Sequence, residues 1–135
     1  MDKKNILVVD DNPTIVSIVR EVLKSNGYAV QCVYGGEGAL DHLERQTPDL
    51  IILDVMMPQM SGMEVLGKIK GSSKTSSIPV IMLTVNDKEE DVLEAYKLGA
   101  EYYITKPFLP RELIRHVQRV LGRDKSATHG RPIPS

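Results

Sequence analysis

The sequence predicts a doubly wound α/β domain, and three observations carry that reading. Short β-rich apolar runs alternate five times with segments of helical length. Three of the runs are continuously apolar rather than alternating, as strands covered on both faces of a parallel sheet must be. The first and fourth helical segments also carry end signals. Five strand–helix units in series call for right-handed crossovers and helices on both faces of one sheet.

The first strand is ILVV, residues 6–9. Asn12-Pro13 then offers a capping side chain followed by proline at the first helical position, and the helix runs to Gly27. Its apolar positions Ile15, Val16, Val19, Val22 and Leu23 share one face. The second strand is YAVQCV (28–33), followed by a helix over roughly 37–46. LIIL (50–53) gives the third strand and 62–70 the third helix; PVIML (79–83) and 87–98 give the fourth pair. Gly99 stands where a left-handed helix end belongs, and Gly62 reads as a turn. YYIT (102–105) and a helix over 110–121 complete the series. After Leu121 the periodicity stops, so residues 1–122 read as one domain and the polar Gly-, Pro- and Ser-rich stretch 123–135 as a disordered tail or vector remnant.

At 135 residues and 15.0 kDa the chain suits a single domain able to bury its own core. One cysteine, Cys32, permits no internal disulfide and reads as a small core residue, while His42, His116 and His129 are too scattered to form a metal site. A formal charge of −1 supplies no field for nucleic acid or membrane surfaces, and no apolar run approaches the roughly 18 residues of a membrane span. With no signal-peptide pattern, a soluble cytoplasmic protein is expected.

Ligands of open α/β sheets bind beyond the carboxyl ends of the strands. There the sequence sets Asp10-Asp11 after the first strand, Asp54 after the third, Thr84 after the fourth and Lys106 after the fifth. Each alone reads equally well as a helix cap, a turn residue or a solvated charge. All of them at the mouths of the right strands form a constellation. Three carboxylates in one cleft repel unless a cation joins them. With no His or Cys nearby, the donor set selects a hard, oxygen-seeking ion: Mg²⁺, with Mn²⁺ as the alternative.

The stretches VVDDNP, LIILDVMMPQMSGMEVL, IPVIMLTVND and GAEYYITKPF together resemble the receiver domain of two-component response regulators, over residues 5–121. The resemblance implies the flavodoxin-like strand order 2-1-3-4-5. It also implies Asp54 as phosphoacceptor, with Asp10, Asp11, Asp54 and the backbone carbonyl of Met56 as metal ligands. Thr84 and Lys106 would contact the phosphoryl oxygens, Thr84 and Tyr103 would form the switch, and Lys106-Pro107 would be a cis peptide. The implied donors are a sensor histidine kinase, a histidine phosphotransfer protein or a small acyl phosphate. The implied output is a downstream protein bound through helix 4, strand 5 and helix 5, with no direct nucleic-acid contact and no membrane. Such a domain catalyses only its own phosphorylation and dephosphorylation.

Two features depart from the pattern or extend it. Val85, after Thr84, is bulkier than the Ala or Gly usual in the family and is expected to narrow access to the phosphoryl site. EEDVLEAYKLGAEYYITKPFLPRELI resembles the transcription-factor branch, whose receivers dimerise through paired charges. Val92, Tyr102 and His116 break two of those pairs, leaving Glu101 and Arg123 for one. Helix 4 is acidic, whereas Arg111, Arg115 and Arg119 step along one ridge of helix 5, a solvated face or a docking surface for an acidic partner. The alternative to a stand-alone switch is a receiver cut from a longer regulator with a DNA-binding or enzymatic output. An aspartate-nucleophile phosphohydrolase is disfavoured, because that class wants D-x-D after the first strand and residues 10–12 are Asp-Asp-Asn.

Overall fold

The computed structural model describes residues 3–122. Five strands, β1 (Asn5–Val9), β2 (Ala29–Val33), β3 (Leu50–Leu53), β4 (Val80–Thr84) and β5 (Tyr102–Thr105), pair in parallel in the order β2-β1-β3-β4-β5. Between them run α1 (Pro13–Ser25), α2 (Gly36–Arg45), α3 (Gly62–Lys70), α4 (Glu89–Leu98) and, after β5, α5 (Pro110–Gly122). The doubly wound architecture and its strand order are as expected. The tail 123–135 and Arg123 lie outside the described residues.

Alternation along the strands sorts the core into two layers. Leu7, Val9, Ile51, Leu53 and Met82 face α2, α3 and α4, while Ile6, Val8, Ile52, Ile81 and Leu83 face α1 and α5. β1, β3 and β4 are covered on both sides, so ILV, LIIL and VIML are buried at every position. Each such Ile or Leu contributes about 1.5–3 kcal/mol. α5 packs Leu113, Ile114, Val117, Val120 and Leu121 inward, whereas α4 buries only Ala95. α4 is therefore the helix least fixed by apolar contact.

Local chemistry sets the ends. The side chain of Asn12 accepts from the amides of Thr14 and Ile15, capping α1 with Pro13 at its start. Gly99 closes α4 at φ 112°, a conformation that favours glycine. Several element ends shift by one or two residues from the sequence reading, and two of the shifts have a visible cause. β4 extends to Thr84, because the Thr84 carbonyl accepts from the amide of Lys106 at 2.8 Å. α4 starts at Glu89 rather than residue 87, because the side chain of Asn86 captures the amide of Lys88 and holds 86–88 in a turn.

Candidate functional site

The strand ladders place the acidic groups. The amide of Asp10 donates to Val33 and that of Asp54 to Val9, so both residues continue the hydrogen-bonded rungs one step past their strands. Each carboxylate then folds back on its own loop. Asp10 Oδ1 accepts from the amide of Asn12 at 2.9 Å, and Asp54 Oδ1 accepts from the amide of Met56 at 3.2 Å. These local bonds turn the second oxygen of each acid toward the cleft.

Asp10 and Asp54 are buried, at 3% and 5% exposure, while Asp11 is exposed. One oxygen from each of the three comes within 4.8 Å of the others. Lys106, on the β5–α5 loop, sends Nζ to 2.8 Å from Asp10 Oδ2 and 3.9 Å from Asp54 Oδ2. Three carboxylates against one ammonium leave the cleft negative, and its all-oxygen donors suit a hard divalent ion. Burial pushes the carboxyl of Asp54 above its ordinary range, and the charge of Asp10 adds to this; Thr84 and Lys106 act in the opposite direction. Above these groups opens a cleft of about 410 Å³, rimmed by Ile15, Met56 and Val85. Val85 is 60% exposed, so its branched side chain stands at the mouth rather than in the core.

A close approach not apparent in the sequence supports Asp54 from behind. Gly62, at the start of α3, lies so near the backbone of Asp54 and Val55 that a Cβ there would collide with the Asp54 carbonyl oxygen. Its amide donates to Val55 at 2.8 Å. The glycine read as a turn is a contact point between α3 and the acid-bearing loop.

Thr84 is fully buried beside Asp54, and its Oγ1 accepts from the amide of Asn86 at 3.2 Å. Tyr103 is half-buried and its hydroxyl donates to the Asn86 carbonyl at 2.8 Å. Burial, with the carboxylates of Asp91, Asp54 and Asp87, pushes its phenol up to about 12. The backbone amide of Tyr103, on the free side of edge strand β5, donates to the hydroxyl of Tyr96 on α4. Lys106-Pro107 is cis.

On the output side, Arg111, Arg115 and Arg119 are all exposed along α5. Tyr102 stacks on His116 with ring centroids 4.4 Å apart. Burial and the neighbouring Arg119 push the imidazole of His116 below its ordinary range. Two of the residues expected to break the charge pairs of the transcription-factor resemblance thus form a ring stack. Among the described residues no helix is long and apolar enough to cross a membrane.

The family model of the response regulator receiver domain matches residues 6–118. Among solved structures, chemotaxis protein CheY4 of Vibrio cholerae is 34% identical, with a TM-score of 0.83 over 89% of this chain and all of that one. The signal receiver domain of a signal transduction histidine kinase from Syntrophus aciditrophicus is 35% identical, with a TM-score of 0.83 over 98% of both chains. The receiver domain of sensor histidine kinase PA1611 from Pseudomonas aeruginosa PAO1 is 33% identical, with a TM-score of 0.82 over 90% of this chain and 99% of that one. That structure has a magnesium ion coordinated in its active site cleft. With five parallel strands in the same order and an aspartate cluster at their carboxyl ends, the chain belongs to the response regulator receiver domain family of two-component signalling.

Proposed function

We propose that the domain accepts a phosphoryl group on Asp54 from a histidine kinase or histidine phosphotransfer protein, and reports it through α4, β5 and α5. The observation that carries this reading is the convergence of Asp10, Asp11 and Asp54 within 4.8 Å under one lysine. Asp54 is read as the acceptor rather than Asp10 because Lys106 is bonded to Asp10 Oδ2 at 2.8 Å but stands 3.9 Å from Asp54 Oδ2. Asp10, Asp11, Asp54 and the Met56 carbonyl would hold Mg²⁺, which when bound lowers the repulsion between an anionic acceptor and an anionic donor. Mn²⁺, equally oxygen-seeking, is the substitute.

In the transfer, a carboxylate oxygen of Asp54 forms a bond to phosphorus as the phosphohistidine nitrogen, or the acetate oxygen of acetyl phosphate, departs with the bonding pair. Lys106 moves its charge toward the phosphoryl oxygens, and the hydroxyl of Thr84 donates to another. Tyr103 follows Thr84, shifting a two-state balance at the α4–β5–α5 face, where Arg111, Arg115 and Arg119 offer positive charge to an acidic protein partner. Domain limits of 1–122, a cytoplasmic site of action and the absence of DNA or membrane contacts by this domain belong to the same reading. Nothing in it depends on whether an output domain is attached.

The test is intact mass after incubation with acetyl phosphate and Mg²⁺. One phosphoryl adduct is expected on the wild-type chain and none on Asp54→Ala; equal labelling of both overturns the assignment.

A further inference from the structure

We propose that Asn86 is a positioning residue that ties the Thr84 hydroxyl to the first turn of α4 through its side-chain bond to Asp91. The proposal rests on the phosphorylation reading above and names the part of the chain that carries its signal outward.

Asn86 makes four hydrogen bonds to four different residues. Its amide donates to Thr84 Oγ1 at 3.2 Å, and its carbonyl accepts from the hydroxyl of Tyr103 at 2.8 Å. Its side-chain Oδ1 accepts from the amide of Lys88 at 2.9 Å, and Nδ2 donates to Asp91 Oδ2 at 2.9 Å. The residue is half-buried and sits in the turn between β4 and α4. One face of it thus touches the hydroxyl beside Asp54, and the other grips the helix.

The helix has little else at that end. Lys88, at its N-cap position, makes no side-chain cap bond, and Ala95 is the only buried residue of α4. Leu93 is 54% exposed and Tyr96 45%. A helix end without a cap and without apolar anchoring is held by whatever polar ties remain. Here those are Asn86 to Asp91 at the start and the Tyr96 hydroxyl on Tyr103 further along.

Thr84 Oγ1 accepts from the Asn86 amide while its own hydroxyl donates to Asp54, the carboxylate read as the acceptor. When that hydroxyl turns to a phosphoryl oxygen, the Asn86 amide must follow it or lose the bond. Either way the Asn86 side chain shifts against Asp91, and the first turn of α4 is released or re-seated. Tyr103, bound to the carbonyl of the same residue, moves with it. The coupling needs no wire through the core: one turn residue bonds to all the moving parts.

The experiment is hydrogen–deuterium exchange over 86–98 in the full chain, before and after phosphorylation by acetyl phosphate with Mg²⁺. In wild type, exchange at the start of α4 changes on phosphorylation. Asn86→Ala keeps the backbone bonds and removes both side-chain ones; Asp91→Ala removes only the carboxylate. Each is expected to raise exchange of the unmodified first turn about five- to tenfold, the scale of a lost hydrogen bond or two, and to abolish the further change. The double variant should exceed neither single by much, because both delete the same tie. Asp91→Asn, which keeps an acceptor oxygen for Nδ2, should restore the response. Should phosphorylated Asn86→Ala or Asp91→Ala respond as wild type does, or the two effects add, the tie is not the coupling element. A phosphorylated wild type whose α4 exchange stays unchanged overturns this inference alone, whereas a wild type that takes no phosphoryl group overturns the receiver reading beneath it.

Discussion

The ammonium of Lys106 lies 2.8 Å from Asp10 but 3.9 Å from Asp54, so in the unmodified site the lysine pairs chiefly with Asp10 rather than with the proposed acceptor. Both side chains of the closer pair are largely withdrawn from water, at 10% and 5% exposure. Lys106 thereby acts as the resident counter-ion of an acidic cleft. Removing it leaves Asp10 buried and unpaired beside two more carboxylates. Lys106→Met is expected to lower stability by about 3 kcal/mol in the presence of a chelator, the low end for a broken buried pair because the cleft opens to solvent. Millimolar Mg²⁺ should recover part of the loss. Urea unfolding with and without the ion measures both; an unchanged midpoint in chelator contradicts the counter-ion role.

Asp54 titrates in the opposite sense to a salt-bridged aspartate. Burial raises its folded-state pKa, so between the ordinary aspartate range and that raised value the native chain binds more protons than the unfolded one. Without divalent ion, the contribution of this group to stability should fall as pH rises through that window. Asp54→Asn removes the titration, so wild type should lose stability relative to the variant as pH climbs from acid to neutral. Parallel stability–pH curves for the two proteins contradict the assignment.

Much of this was legible in the sequence for a simple reason. Continuous runs such as LIIL and VIML fit only strands covered on both faces, and chemistry placed after them falls on one rim. Asp10, Asp54, Thr84 and Lys106 are therefore found together as expected. Contacts set by how the elements meet were not legible. Gly62 looks like any turn glycine until α3 is seen against the Asp54 carbonyl. Asn86 looks like a permissive loop residue, and its two-residue spacing to Lys88 signals only a local turn. Its bonds to Tyr103 and Asp91 depend on how β5 and α4 meet the end of β4. The Tyr102–His116 stack likewise joins residues fourteen apart, on a strand and a helix.

The glycine at 62 offers a sharp stability test. A Cβ at that position meets the backbone of Asp54 and Val55, which cannot yield as a flexible side chain would. Gly62→Ala should cost at least about 2 kcal/mol and displace the loop carrying Asp54, reducing phosphoryl uptake as well. Thermal unfolding and acetyl phosphate labelling report the two effects. A variant as stable and as readily labelled as wild type contradicts the close packing.

Val85 stands at the mouth of the cleft over Asp54. Trimming it to alanine widens the path for water and for small donors without touching the acidic floor. Val85→Ala should lose its phosphoryl group faster, on the order of threefold, which corresponds to less than about 1 kcal/mol of barrier. Decay followed by intact mass after removal of the donor measures it, and a rate no faster than wild type counts against the gate.

One carboxylate, Asp54, is proposed to become an acyl phosphate. Borohydride reduces an aspartyl phosphate to homoserine, so labelling the chain with acetyl phosphate and Mg²⁺, trapping with borohydride and sequencing the peptides by mass spectrometry reads the position directly. Homoserine at 54 is the expected result. Homoserine at 10 or 11 instead, or no conversion in a chain that remains folded, contradicts the account.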